Sequence, residues 1–133
     1  MIQKIDHIGV AVKNLEEAAK FYREILGLQV GEIFTHGEMR GAFVEIGGVE
    51  FELLANDNPE SAIAKHIEKR GEGIQHVAFQ VDEIEKEMER LKAKGIAFID
   101  AKPRPGARGS QIAFMHPKNT YGILMELVQP ARK

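Results

Sequence analysis

The strongest constraint on this chain is internal: its second half reads as a copy of its first. Asp6-His7-Ile8-Gly9-Val10-Ala11-Val12 lies over Gln75-His76-Val77-Ala78-Phe79-Gln80-Val81, with the histidines at an offset of 69 residues (76 − 7). The same offset carries Val12 to Val81, Leu15 to Ile84 and Glu16 to Glu85. Farther on, Val49-Glu50-Phe51-Glu52-Leu53-Leu54 resembles Ile123-Leu124-Met125-Glu126-Leu127-Val128, where the offset has grown to 74 (126 − 52). A repeat of this kind makes each half one supersecondary unit that must share a core with its copy. The halves run over about 1–70, including a connecting helix, and about 71–133.

Each half opens with a strand and then a helix. Asn14 is a natural N-cap with Glu17 three residues on, a capping-box pattern. Leu15, Ala18, Ala19, Tyr22, Ile25 and Leu26 recur at helical spacing, and Gly27 stands where a left-handed residue ends a helix. In the second half Asp82 is the expected cap, and Ile84, Met88 and Leu91 form the expected buried stripe before Gly95. The run Glu83 to Lys94 otherwise reads as a solvated helix face.

Three strands should follow each helix. In the first half they are Gln29 to Thr35, Gly41 to Ile46 and Val49 to Leu54, with Gly47-Gly48 as a two-residue hairpin turn. In the second they are Ala97 to Ile99, Gln111 to Met115 and Ile123 to Val128. A helix is expected from an Asn58 cap and Pro59 to about Lys69. Lys102 to Gly109 is too rich in Pro and Gly for either element and reads as loop.

Strand side chains alternate between faces. His7 therefore shares a face with the small Gly9 and Ala11, while Ile8, Val10 and Val12 take the other; His76 with Ala78 repeats this. Glu52 interrupts a strand otherwise suited to a core, and Glu126 sits among Ile123, Leu124, Met125, Leu127 and Val128. A carboxylate in so apolar a run is costly unless paired or coordinated. Two histidines and two glutamates at equivalent places in two halves point to one divalent metal held by His7, Glu52, His76 and Glu126. With no cysteine in the chain, nitrogen and oxygen are the available donors. This N2O2 set suits Co, Mn, Ni, Fe or Zn, with positions open to water or substrate. His36, His66 and His116 have blander readings, at a strand end, on the connecting helix and at a strand exit before Pro117.

The duplicated pattern with ligands on strands resembles the vicinal oxygen chelate, or glyoxalase-like, superfamily. Beyond Asp6 to Val12, three stretches are similar to its methylmalonyl-CoA epimerase branch. They are Arg70 to Phe79, Pro103-Arg104-Pro105-Gly106-Ala107, and Phe114-Met115-His116-Pro117-Lys118 continuing from Gly122 to Leu127. The resemblance implies an α+β fold over 1–133, a single domain of two tandem βαβββ modules forming a cupped mixed sheet around the metal. It places His7, His76 and Glu126 on the family's ligand positions and Glu52 on the fourth, where some epimerases carry Gln and glyoxalases carry Glu. It also implies inversion of the acidic carbon of methylmalonyl-CoA through an enolate. Glu126 would be ligand and proton carrier, and Glu45 the nearest match for a second base. Hairpin counting across Gly47-Gly48 pairs Glu45 with Glu50, on the Glu52 face; a shifted register would place Gly41 or Phe43 there instead. Arg104, Arg108 and Lys118 are candidates for binding coenzyme A phosphates or the substrate carboxylate.

Two other functions fit parts of the pattern. A lactoylglutathione lyase, acting on the hemithioacetal of methylglyoxal and glutathione, would use the same ligands. A non-enzymatic, metal-free binding module of the same fold would not need them. The net charge of -2, with 29% charged and 44% hydrophobic residues, offers no electrostatic case for nucleic acid or membrane. Without an apolar span, a secretory-type start or cysteine, a cytoplasmic protein is expected. A twofold homodimer is also expected, because small sheets often bury their exposed apolar surface that way.

Overall fold

The computed structural model describes residues 1–132. The architecture is α+β, mixed sheets with few helices, as the repeat implies. The chain divides into two compact units, His7–Gln75, and Met1–Asp6 with the described residues from His76 onward. That division cuts the first strand, β1 (Ile2–Ala11), between Asp6 and His7.

In the first unit β1 runs parallel to β5 (Val49–Asn56), and β5 is antiparallel to β4 (Met39–Ile46). Gly47 and Gly48, at φ 55° and 89°, supply the two positive-φ residues of a type I′ hairpin turn. Along the outer side of β4 lie β2 (Gln29–Val30) and β3 (Phe34–His36). The single strand expected over Gln29 to Thr35 is thus two short ones, with the Gly31 N–H still bonded to the Phe43 carbonyl at 2.8 Å between them.

One face of this sheet is closed by α1 (Leu15–Lys20), whose Leu15 packs on Val10, Val12, Ala42, Val44, Leu53 and Ala55. Asn14 caps it, its side chain accepting from the Glu17 N–H at 3.0 Å. The helix then widens into a π turn, Phe21–Ile25. A π turn inserts an extra residue, so the residues after it rotate off a 3.6-residue stripe. Ile25 and Leu26, which continue the stripe in the sequence, are accordingly exposed. On the other face, α2 (Ala62–Arg70) sets Ile63 against Ala11 and Leu54. This helix begins later than Asn58-Pro59 suggests. Asn58 accepts from the Glu60 N–H in a turn, and Ser61 is the cap, accepting from the Ala64 N–H at 3.1 Å.

In the second unit β6 (Gly73–Val81) runs parallel to β9 (Met125–Gln129), which is antiparallel to β8 (Gln111–Phe114). Helix α3 (Ile84–Ala93) packs Ile84 and Met88 on Val81, Ala113, Met115 and Leu127. Its cap is Glu83 rather than Asp82: Asp82 accepts from the Glu83 N–H, and the Ile84 N–H is satisfied by Gln129 Oε1. The solvated face has one exception. Glu87 is buried, bonded by Arg90 at 2.9 and 2.7 Å, with the Met1 ammonium 3.3 Å away. Arg90 holds the Glu87 carboxyl below the usual carboxylate range, against its burial.

The segment expected as loop contains a two-residue strand, β7 (Arg104–Pro105), paired with β8, and a 3-10 turn at Ala107–Gly109. Proline is compatible with such an edge strand because it has no ladder N–H to satisfy. Conversely, Ala97 to Ile99 forms no strand; Phe98 makes a single bridge to Met115. Among the described residues, no helix is long and apolar enough to cross a membrane.

Candidate active site

Each unit carries the same small constellation. In the first, parallel pairing sets Gly9 beside Glu52, and antiparallel pairing sets Phe43 opposite Glu52. In the second, Ala78 stands beside Glu126 and Phe114 opposite it. The two registers are thus equivalent residue for residue. Glycine and alanine are the side chains a carboxylate can reach across, so each glutamate turns toward the histidine two residues earlier on the neighbouring strand.

His7 Nε2 lies 3.3 Å from Glu52 Oε1, and His76 Nε2 lies 3.6 Å from Glu126 Oε1. All four residues are buried, at 7%, 6%, 4% and 3% exposure in chain order. Two ligands each about 2.1 Å from one ion stand roughly 3.0–3.4 Å apart, at angles from octahedral to tetrahedral. The first pair falls within that range and the second is slightly wider. Nitrogen and carboxylate oxygen facing each other below the surface also form the donor set that first-row divalent ions accept.

The phenylalanines complete each constellation. Phe43 presents itself edge-on to His7 (centroids 6.4 Å, planes at 82°), and Phe114 does the same to His76 (5.5 Å, 84°). An apolar ring beside each imidazole keeps water from that side and restricts ring rotation. Neither phenylalanine stands out in the sequence as a site residue. Hairpin counting contains the signal for Phe43: Glu45 does pair with Glu50, which puts Phe43 opposite Glu52.

The remaining candidates are placed differently. Glu45 is exposed, and its Oε1 accepts from the Gly48 N–H at 2.9 Å. Arg104 is half-exposed, donating to Asp100 at 2.9 Å, with its guanidinium 5.5 Å from the Phe114 ring centre. Lys118 is exposed in a 3-10 turn, its N–H bonded to His116 Nδ1 at 3.2 Å. Arg108 is exposed at φ 57°. His36 is exposed at the end of β3 and His66 half-buried on α2, where burial lowers its pKa.

Residues 6–114 match the model of the Glyoxalase/Bleomycin resistance protein/Dioxygenase superfamily. The chain belongs to that superfamily. Among the relatives of this superfamily member is the mitochondrial methylmalonyl-CoA epimerase of Mus musculus. It is 37% identical over 130 residues, covering 95% of this chain and 72% of that protein. The ethylmalonyl-CoA/methylmalonyl-CoA epimerase of Cereibacter sphaeroides is 36% identical over 134 residues, covering 97% and 99%. A variant of Streptomyces coelicolor methylmalonyl-CoA epimerase, solved in complex with 2-nitronate-propionyl-CoA, superposes with a TM-score of 0.93. It is 33% identical, with 99% of this chain and 100% of that one covered.

Proposed function

We propose that this superfamily member is a metal-dependent epimerase that inverts the acidic carbon of methylmalonyl-CoA through an enolate. The observation that carries the reading is the pair of buried His–Glu contacts at equivalent register, in a chain similar to acyl-CoA epimerases along nearly its whole length. In this reading His7, Glu52 and His76, residues of types that can hold a metal ion, would be ligands, with Glu126 as the fourth donor. In this proposal both pairs serve one divalent ion, with cobalt preferred. The ion would supply Lewis-acid stabilisation of the negative charge that develops on the thioester oxygen.

The protein's own groups carry the proton. Glu126 is buried, so its carboxylate is poorly solvated and well suited to exchanging a proton with a neighbouring carbon acid. Inversion also needs a second carrier on the opposite face of the planar enolate. Glu45 is that candidate; it shares its strand face with Phe43 and must release the Gly48 N–H to act. Arg104 and Lys118 would bind the carboxylate or the coenzyme A phosphates. Cytoplasmic residence and a twofold dimer belong to the same proposal, the latter testable by light scattering after size exclusion.

The deciding experiment is deuterium exchange at the acidic carbon of methylmalonyl-CoA in heavy water, with and without added Co²⁺. Metal-dependent exchange with inversion is expected. Glu126→Gln should lower the rate by on the order of 10²–10⁴-fold. Glu45→Gln should slow inversion while leaving exchange from one face. Turnover of the methylglyoxal–glutathione hemithioacetal alone, in parallel assays, would overturn the assignment.

A further inference from the structure

The two His–Glu–Phe constellations match in register and ring geometry, but what lies on each phenylalanine differs. On Phe43 it is a second aromatic: Phe34 stacks at 5.2 Å and 26°, over Gly41. On Phe114 it is a cation, the Arg104 guanidinium at 5.5 Å. One constellation thus has a neutral apolar cap and the other a charged one.

The charged cap is held in place. Arg104 Nε donates to Asp100 Oδ1 at 2.9 Å, while Asp100 Oδ2 accepts from the Phe114 backbone N–H at 2.8 Å. One carboxylate therefore fixes the guanidinium and the backbone of the residue whose ring it covers. Asp100 is mostly buried, its side chain 15% exposed, whereas Arg104 is 50% exposed. The Arg104 backbone is in turn paired with Ile112 through β7. An ion pair with a half-exposed arginine contributes little to stability. What the arrangement supplies is orientation. Asp100 takes the Nε donor, and among the described residues no other acceptor engages Arg104, so the two Nη groups keep a forked edge suited to a carboxylate or phosphate.

We propose that Asp100 is a positioning residue that holds Arg104 over Phe114 with its Nη edge presented to an anionic group of the substrate. Recognition of negative charge then resides beside His76 and Glu126, and the Phe34–Phe43 stack beside His7 stays neutral. The inference rests on the acyl-CoA reading and names how that site recognises charge.

Binding calorimetry on the full chain tests it, using methylmalonyl-CoA and propionyl-CoA, which share the coenzyme A phosphates but differ in the free carboxylate. Asp100→Asn removes the charge facing Arg104 and keeps an oxygen able to accept from Phe114. It should weaken binding about tenfold, roughly the loss of one charge-assisted contact. The same substitution in an Arg104→Ala background should change binding by less than about twofold, because the residue acts through Arg104. In turnover the loss should appear in KM with kcat nearly unchanged. Weakening confined to methylmalonyl-CoA identifies the carboxylate as the anion, and equal weakening of both thioesters identifies a phosphate; either supports the proposal. Arg104→Lys, which leaves the Asp100–Phe114 bond in place, should match Asp100→Asn and covers the case in which that variant does not fold. Wild-type affinity in Asp100→Asn or Arg104→Lys, or an equal loss in the Arg104→Ala background, would overturn it. A wild-type protein that binds neither thioester would instead remove the acyl-CoA reading, and this inference with it.

Discussion

His7 and His76 each face a glutamate from a neighbouring strand, and those four side chains were legible because the repeat singles them out. A lone histidine in a strand carries little information, but polar residues at equivalent places in two apolar patterns do. What the chain did not reveal depends on partners brought close only by folding. Glu87 reads as one more charge on a solvated helix, yet its carboxylate is buried beneath the exposed Arg90 and the Met1 ammonium. Gly41 reads as a strand glycine of no special meaning. A Cβ there would stand 2.6 Å from the Phe34 ring, which is itself stacked on Phe43. Gly41→Ala should therefore destabilise the fold by about 1–3 kcal/mol in denaturant melts. Phe34→Ala in the same chain should recover part of that loss, and full stability of the single variant would refute this account of the glycine.

At the scale of elements, the periodic signals located β1, α1, β4, β5, β6, α3 and β8, with β9 shifted by two residues. The errors fall where hydrogen bonding departs from a regular period. The π turn at Phe21–Ile25 exposes Ile25 and Leu26, and the Asn58 turn delays α2 to Ser61. Arg104–Pro105 gains its pairing from β8, which no local pattern announces. Caps give a direct check on α1. Asn14→Ala removes the acceptor for the Glu17 N–H and should cost about 1 kcal/mol, read as a lower Tm. Helix α3 carries a pH dependence. Because Arg90 depresses the Glu87 carboxyl in the folded state, its stabilisation is complete above the unfolded carboxylate pKa of about 4.3 and is lost as pH falls through the lower folded value. The difference in Tm between the wild type and Glu87→Gln should be widest near neutrality and close under acid; a gap independent of pH would contradict this.

At the scale of the whole molecule, duplication explains how a chain of 133 residues presents the same buried His–Glu pair twice. Each repeat contributes one histidine, one glutamate and one phenylalanine in the same register, and the two constellations differ in what covers the ring. In the proposed site the two His–Glu pairs serve a single ion. Equilibrium dialysis against Co²⁺ measures this without reference to catalysis. The expected result is one ion per chain, with affinity falling at least about 10–100-fold in His7→Ala and in His76→Ala alike. Two ions per chain, or unchanged binding when either histidine alone is removed, would contradict it.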